Sequence, residues 1–250
     1  IEQDDIYVYK NDNTLPIGFS TSNIMSYEDY ELLDKQTKQE ALFNVIVVDA
    51  PSNNNFISTL EKTTIKIEDI FKHSNIKINK SNTVNITTKE TLKLTYKLPK
   101  NYHDKILFIS FNINNNKETK SIKINNITKE LNISNKYQPQ ETIEYVLSNQ
   151  KQEELNISFE PGTYNLSNIE IYSLDTANID KSIKNFDKFI INPIIKKGEI
   201  LSGKINVIKD GYFMFTIPYD KGFKVKLNNQ EIEYERVDEK YIGFPITSGT

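Results

Sequence analysis

Thr91-Leu92-Lys93-Leu94-Thr95-Tyr96-Lys97-Leu98 alternates apolar or aromatic with polar side chains without a break, and Ile106-Leu107-Phe108-Ile109-Ser110-Phe111-Asn112-Ile113 follows it at strand length. A period of two puts Leu92, Leu94, Tyr96 and Leu98 on one face of an extended chain. Working outward, the same alternation marks 64–67, 76–78, 83–87, 121–125, 142–147, 155–159 and 164–174. Loss of the period at 114–119 marks a hairpin or loop. Short strands at such spacing, with no helical interruption, predict a jelly-roll-like β-sandwich over 59–175.

The flanks read differently. On the N-terminal side, Ile6-Tyr7-Val8-Tyr9 predicts a strand and Lys10-Asn11-Asp12-Asn13 a turn. Ser26-Tyr27-Glu28-Asp29 is close to a capping box, and Thr37-Lys38-Gln39-Glu40 is a full one, so two short helices are expected. Val45-Ile46-Val47-Val48 then predicts a buried strand. On the C-terminal side, Ile179, Ile183, Phe186 and Ile190 recur at helical spacing, predicting a connecting helix over 176–190 closed by Asn192-Pro193. Strands are expected at 200–208, 212–217, 225–227 and 231–237, with Asn228-Asn229 as a type I′ turn. The expected fold is mostly β, with the sandwich inserted into a smaller discontinuous α+β base built from 1–58 and 191–250.

Composition narrows the function. The chain has 250 residues, no Cys, no Trp and two His, which removes disulfides, thiolate catalysis and zinc–thiolate sites. A net charge of −3 offers no field to hold a nucleic-acid backbone. Counting gives 36 Ile, 30 Asn and 30 Lys but a single Arg, Arg236, a bias of genome composition more than of chemistry. Six Asn-x-Ser/Thr sequons, at Asn79, Asn85, Asn126, Asn132, Asn156 and Asn165, are close to the chance number for so much Asn. They imply no glycosylation. No apolar run reaches the roughly 20 residues of a membrane helix, and the first residue is Ile, so the chain reads as an excised piece or mature form.

Catalytic signatures are missing from the sequence. It contains no Gly-x-x-x-x-Gly-Lys loop and no Gly-x-Ser-x-Gly elbow, and His73 and His103 have no ligand-spaced partner. A glycosidase needs two carboxylates without fixed spacing, so 34 Asp+Glu leave that class open while selecting no pair. No cofactor or metal is implied. The 14 Tyr and 13 Phe fall mostly at alternating strand positions, where packing explains them.

The most specific string is Thr216-Ile217-Pro218-Tyr219-Asp220-Lys221-Gly222-Phe223, with the Asn228-Asn229 hairpin and Tyr241-Ile242-Gly243-Phe244 behind it. Near the start stands Val8-Tyr9-Lys10-Asn11-Asp12-Asn13-Thr14-Leu15-Pro16-Ile17-Gly18, followed by Gln39-Glu40-Ala41-Leu42. Both ends, in this order, resemble the YfhO family of polytopic bacterial membrane proteins. Phe223 stands where that family usually has Trp, and Asn228-Asn229 where it has Asp-Gly; these substitutions keep an apolar plug and a positive-φ turn.

The resemblance implies a membrane glycosyltransferase using lipid-phosphate-linked sugars to decorate lipoteichoic acid or another glycopolymer of the Gram-positive envelope. Its catalytic carboxylate would lie in an early loop outside this sequence, so no catalytic residue is carried over. Tyr219, Asp220, Lys221 and Phe223 are expected as a structural motif or a glycan contact. The partners implied are the protein's own transmembrane region and a cell-envelope glycopolymer, at the extracellular face of the membrane. The rival classes are a secreted carbohydrate-binding or adhesive β-sandwich and a glycoside hydrolase.

Overall fold

The computed structural model describes residues 14–53, 56–74, 76–79, 83–114, 120–131, 142–148, 151–192 and 200–249, with the backbone of 2–3 and 6–7. The predicted turn at 10–13 and most of the loop at 114–119 lie outside them, as do Val8 and Tyr9. The chain is mostly β, with several antiparallel sheets, and divides into two compact units: Ile1–Ser58 with Ala177–Thr250, and Thr59–Thr176.

The 59–176 unit holds two antiparallel sheets. The larger runs Thr142–Leu147, Lys105–Asn114, Gly162–Asp175, Val84–Thr88, Ile76–Ile78, with Glu61–Lys62 also paired to Gly162–Asp175. The smaller runs Ile127–Leu131, Lys120–Ile124, Glu154–Phe159, Leu92–Lys97. Alternation in sequence becomes alternation in burial: Leu92 and Leu94 are inside while Lys93 and Thr95 are exposed. Leu107, Ile109, Phe111 and Tyr145 from the larger sheet join Ile122, Leu155, Ile157 and Phe159 from the smaller in one apolar core. The buried Tyr145 hydroxyl donates to the Ile122 carbonyl at 2.7 Å, tying one sheet to the other.

The strand predicted at 64–67 does not form: 64–66 pair in no sheet, and a short helix, Ile67–Ile70, starts at the last predicted residue, where Ile67, Ile70 and Phe71 reach the core at i, i+3, i+4 spacing.

In the other unit, a five-stranded antiparallel sheet runs Asp187–Lys188, Gly18–Thr21, Gly211–Pro218, Tyr241–Ile246, Glu235–Val237. A parallel pair, Ile24–Ser26 with Ile46–Val48, is joined by helices Tyr27–Glu31 and Lys35–Ala41. Ser26 caps the first helix as predicted, accepting the Asp29 N–H at 3.1 Å. The second begins one turn earlier than its capping box suggested. Asp34 accepts the Thr37 N–H at 2.9 Å, which leaves Thr37 inside the helix and Glu40 buried.

The connecting helix is also shorter than expected, covering Thr176–Ile183 and not 176–190. Phe186 and Ile190 fit the helical period, but Asp187–Lys188 pairs with Phe19 and Ser20, and Phe189 N–H bonds the Gly18 carbonyl at 3.0 Å. An available sheet edge outbids the local pattern. Likewise only Gly203–Lys204 of the predicted 200–208 strand is paired, with Ile190–Ile191. Asn228 and Asn229 take φ of 49° and 66°, the turn their sequence called for.

Candidate functional site

The Gly211–Pro218 strand delivers Tyr219 to the surface, where its N–H bonds the Lys240 carbonyl at 2.7 Å. The next residue turns the chain: the Asp220 carboxylate accepts the Gly222 N–H at 2.7 Å, an Asx turn. Beneath this loop, the Tyr234 hydroxyl is shared between the carbonyls of Asp220 (2.8 Å) and Phe223 (2.9 Å). That arrangement brings the Tyr219 and Tyr234 rings to 5.7 Å, tilted by 58°. The guanidinium of Arg236, the only arginine of the chain, lies 5.2 Å from the centre of the Tyr219 ring.

A second anchor comes from the N-terminal stretch. Tyr27 donates from its hydroxyl to the Arg236 carbonyl at 3.2 Å and accepts the Glu239 N–H at 3.0 Å. Asp238 and Glu239 both have positive φ, 47° and 64°, so the turn needs such side-chain support. The Asp238 carboxylate supplies it by accepting the Val47 N–H at 2.7 Å. Burial pushes Asp238 up to about 7; the Val47 bond opposes that shift and Glu239 adds to it. Tyr212 hydrogen-bonds Glu235, and burial together with Glu235 and Asp49 raises its phenol to about 12.

These pieces line an open groove of about 630 Å³, with Tyr27, Asp49, Tyr219, Lys221, Tyr234, Glu235, Arg236 and Glu239 on its walls. Two cations, three carboxylates and three phenol rings in an open groove suit a hydroxyl-rich ligand. Carboxylates accept from hydroxyls, the guanidinium donates in a fixed fork, and ring faces take the apolar C–H surface. Among the described residues no group of three or more His, Asp and Glu is placed to hold a metal ion.

Against known proteins, the profile of the family described as "Bacterial membrane protein YfhO" matches residues 2–250. The chain belongs to the YfhO family. The "Uncharacterized protein YfhO" of Bacillus subtilis (strain 168) is 24% identical over 256 residues, an alignment that covers 100% of this chain and 29% of that protein. The chain therefore spans under a third of the length of this curated YfhO relative. Among the described residues no helix is long and apolar enough to cross a membrane.

The YfhO motif residues do not share one fate. Tyr219 and Lys221 line the groove, whereas Asp220 is spent on its own turn. Phe223, expected as an apolar plug, is 45% exposed. The loop is held by the Tyr234 hydroxyl, through the carbonyls of Asp220 and Phe223. Sequence reasoning missed Tyr27, Asp49, Tyr234, Glu235, Arg236 and Glu239. The single Arg was the one available signal; the others are ordinary strand and loop residues until the sheet brings them together.

Proposed function

We propose that this chain is an extracytoplasmic segment of a membrane glycosyltransferase that transfers lipid-phosphate-linked sugars to lipoteichoic acid or another cell-envelope glycopolymer. In this reading the segment positions the acceptor for a catalytic transmembrane region elsewhere in the parent protein, and does no chemistry itself. The observation that carries it is the groove, where the family-motif residues Tyr219 and Lys221 meet Arg236, Tyr234 and the carboxylates of Asp49, Glu235 and Glu239. A ring, a guanidinium and carboxylates on open walls match a polyhydroxylated chain better than a compact apolar ligand.

The domain reading goes with it: residues 1–58 and 191–250 form one discontinuous base, and 59–175 is an inserted jelly roll. Strand order supports this. Numbering its eight main strands from Val84–Thr88 to Gly162–Asp175, one sheet reads 6-3-8-1 and the other 5-4-7-2, the arrangement of two nested Greek keys.

The test is calorimetric or NMR titration of the chain with lipoteichoic acid fragments. Saturable binding should weaken roughly tenfold in Tyr219→Ala and in Arg236→Ala, as expected for losing a stacked ring or its cation. No saturable signal at millimolar ligand, or full binding by both variants, would rule the groove out as the acceptor site.

A further inference from the structure

One turn carries much of the groove. Val237 closes it by accepting the Lys240 N–H at 3.1 Å, and Asp238 and Glu239 sit in it at positive φ, which residues other than glycine hold only with support. Hydrogen bonds from this turn reach two tyrosines of the groove. The Arg236 carbonyl and the Glu239 N–H both meet the Tyr27 hydroxyl, at 3.2 and 3.0 Å, and the Lys240 carbonyl accepts the Tyr219 N–H at 2.7 Å. Tyr27, Tyr219, Arg236 and Glu239 are half of the residues that line the groove. Asp238 fastens the turn to the strand behind it, through its reciprocal bonds with the fully buried Val47.

No cation answers this carboxylate. Among the described residues no lysine or arginine pairs with it. Arg236 and Lys240 each stand 5.2 Å from the centre of a ring, those of Tyr219 and Tyr241. Acids and phenols make up the rest of its surroundings. Tyr27 and Tyr30 of the first helix face it: both phenols are raised, chiefly by burial, with the charges of Asp238 and Glu239 adding to it. Glu235 adds to the same field at Tyr27, and acts with Asp49 on Tyr212. Glu31 of that helix meets Glu239 side chain to side chain, and Lys38 is engaged by Glu31 at 2.7 Å. Once ionised, Asp238 is a charge among like charges. Turning it toward water relieves that, but gives up the Val47 bond and leaves two left-handed residues unsupported. We infer that Asp238 is a positioning residue for the groove: protonated, it holds the turn on Val47 and keeps Glu239, Tyr27 and Tyr219 in binding geometry, and ionised, it releases them. Burial pushes its carboxyl up to about 7, with the Val47 bond opposing and Glu239 adding, so the change falls near neutrality. Ligand is then held most tightly in mild acid, and less tightly as pH rises through that point. This inference rests on the acceptor reading for its ligand, and on the hydrogen bonds of the turn for the coupling.

The test is calorimetric titration with lipoteichoic acid fragments at about pH 5.5 and about pH 8.5, beside the amide NMR spectrum of the free chain over the same range. Wild-type affinity should fall about tenfold between the two. Asp238→Asn, checked for folding by circular dichroism, should bind at the higher pH as tightly as the wild type does at the lower. A merely structural role would instead give that variant the same loss at both. In the free wild type the amides of Val47, Glu239 and Tyr219 should titrate together with a midpoint near 7, and in Asp238→Asn they should not. Saturable binding of equal strength at both pH values overturns this proposal and leaves the acceptor reading standing. Absence of saturable binding at either pH overturns the acceptor reading, and the amides then decide: a shared midpoint near 7 supports the coupling, and its absence overturns it.

Discussion

The carboxylate of Asp238 accepts the Val47 N–H at 2.7 Å while the Val47 carbonyl accepts the Asp238 N–H at 2.9 Å. This reciprocal pair joins residues 191 apart in sequence, and fastens the turn beside the groove to the parallel strand pair behind it. Its geometry makes one side chain carry a titratable and structural duty together.

Asp238 should therefore give stability a pH slope. Its carboxyl is pushed up to about 7 in the fold, against about 3.9 in an unfolded chain. Between those values the folded protein holds a proton the unfolded chain has lost, so stability falls as pH rises through that window and levels off above it. Asp238→Asn keeps the acceptor oxygen and removes the titration. Thermal melts at pH 4.5 and 7.5 should show the wild type losing roughly 1–2 kcal/mol more than the variant, a figure reduced for partial solvent screening. Asp29, Glu31 and Asp210, whose carboxyls are held low by hydrogen bonds, act in the opposite sense and only below about pH 4.

Tyr234→Phe removes the hydroxyl that holds the carbonyls of Asp220 and Phe223. The loss should cost about 1 kcal/mol of stability. Hydrogen exchange should rise at Gly222 and Phe223 in particular. Unchanged exchange there would mean the loop is held by its Asx turn alone.

Gly211 is required by a close approach and not by an unusual φ. A Cβ at this position would lie 2.1 Å from the Thr21 carbonyl oxygen and 2.7 Å from the Ser22 Cα, both backbone atoms that cannot swing away. Gly211→Ala should destabilise by about 2–3 kcal/mol in denaturant melts. A variant as stable as wild type would show that the two strands separate without cost.

The Asn228-Asn229 turn offers a pair of changes with opposite signs. Asn229→Gly, at φ 66°, should be neutral or stabilise by about 0.5 kcal/mol, whereas Asn228→Val, at φ 49°, should cost about 1–2 kcal/mol. Urea melts of the two variants separate these outcomes.

Much of the fold is legible without coordinates where the cause is local. Leu92 and Leu94 announce their face by period two, Ser26 caps through its own third neighbour, and Asn228-Asn229 can hardly be anything but a hairpin turn. The misreadings share one cause. Phe186 and Ile190 keep a helical period that the sheet edge at Phe19 and Ser20 overrides, and the alternation at 64–67 gives way where Ile67 opens a helix that turns Ile67, Ile70 and Phe71 into the core. Phe223 sits outside, and the loop that carries it is held by the hydroxyl of Tyr234, eleven residues on.

The sequence by itself determined a mostly β chain, the Asn228-Asn229 turn and its family, because each depends on residues near one another or on an ordered string such as Tyr219-Asp220-Lys221. Only the tertiary structure decided the groove. Tyr27, Asp49, Tyr219 and Arg236 become neighbours when strand pairing and the Val47–Asp238 bond close distances of nearly 200 residues, and no local pattern encodes a contact of that span.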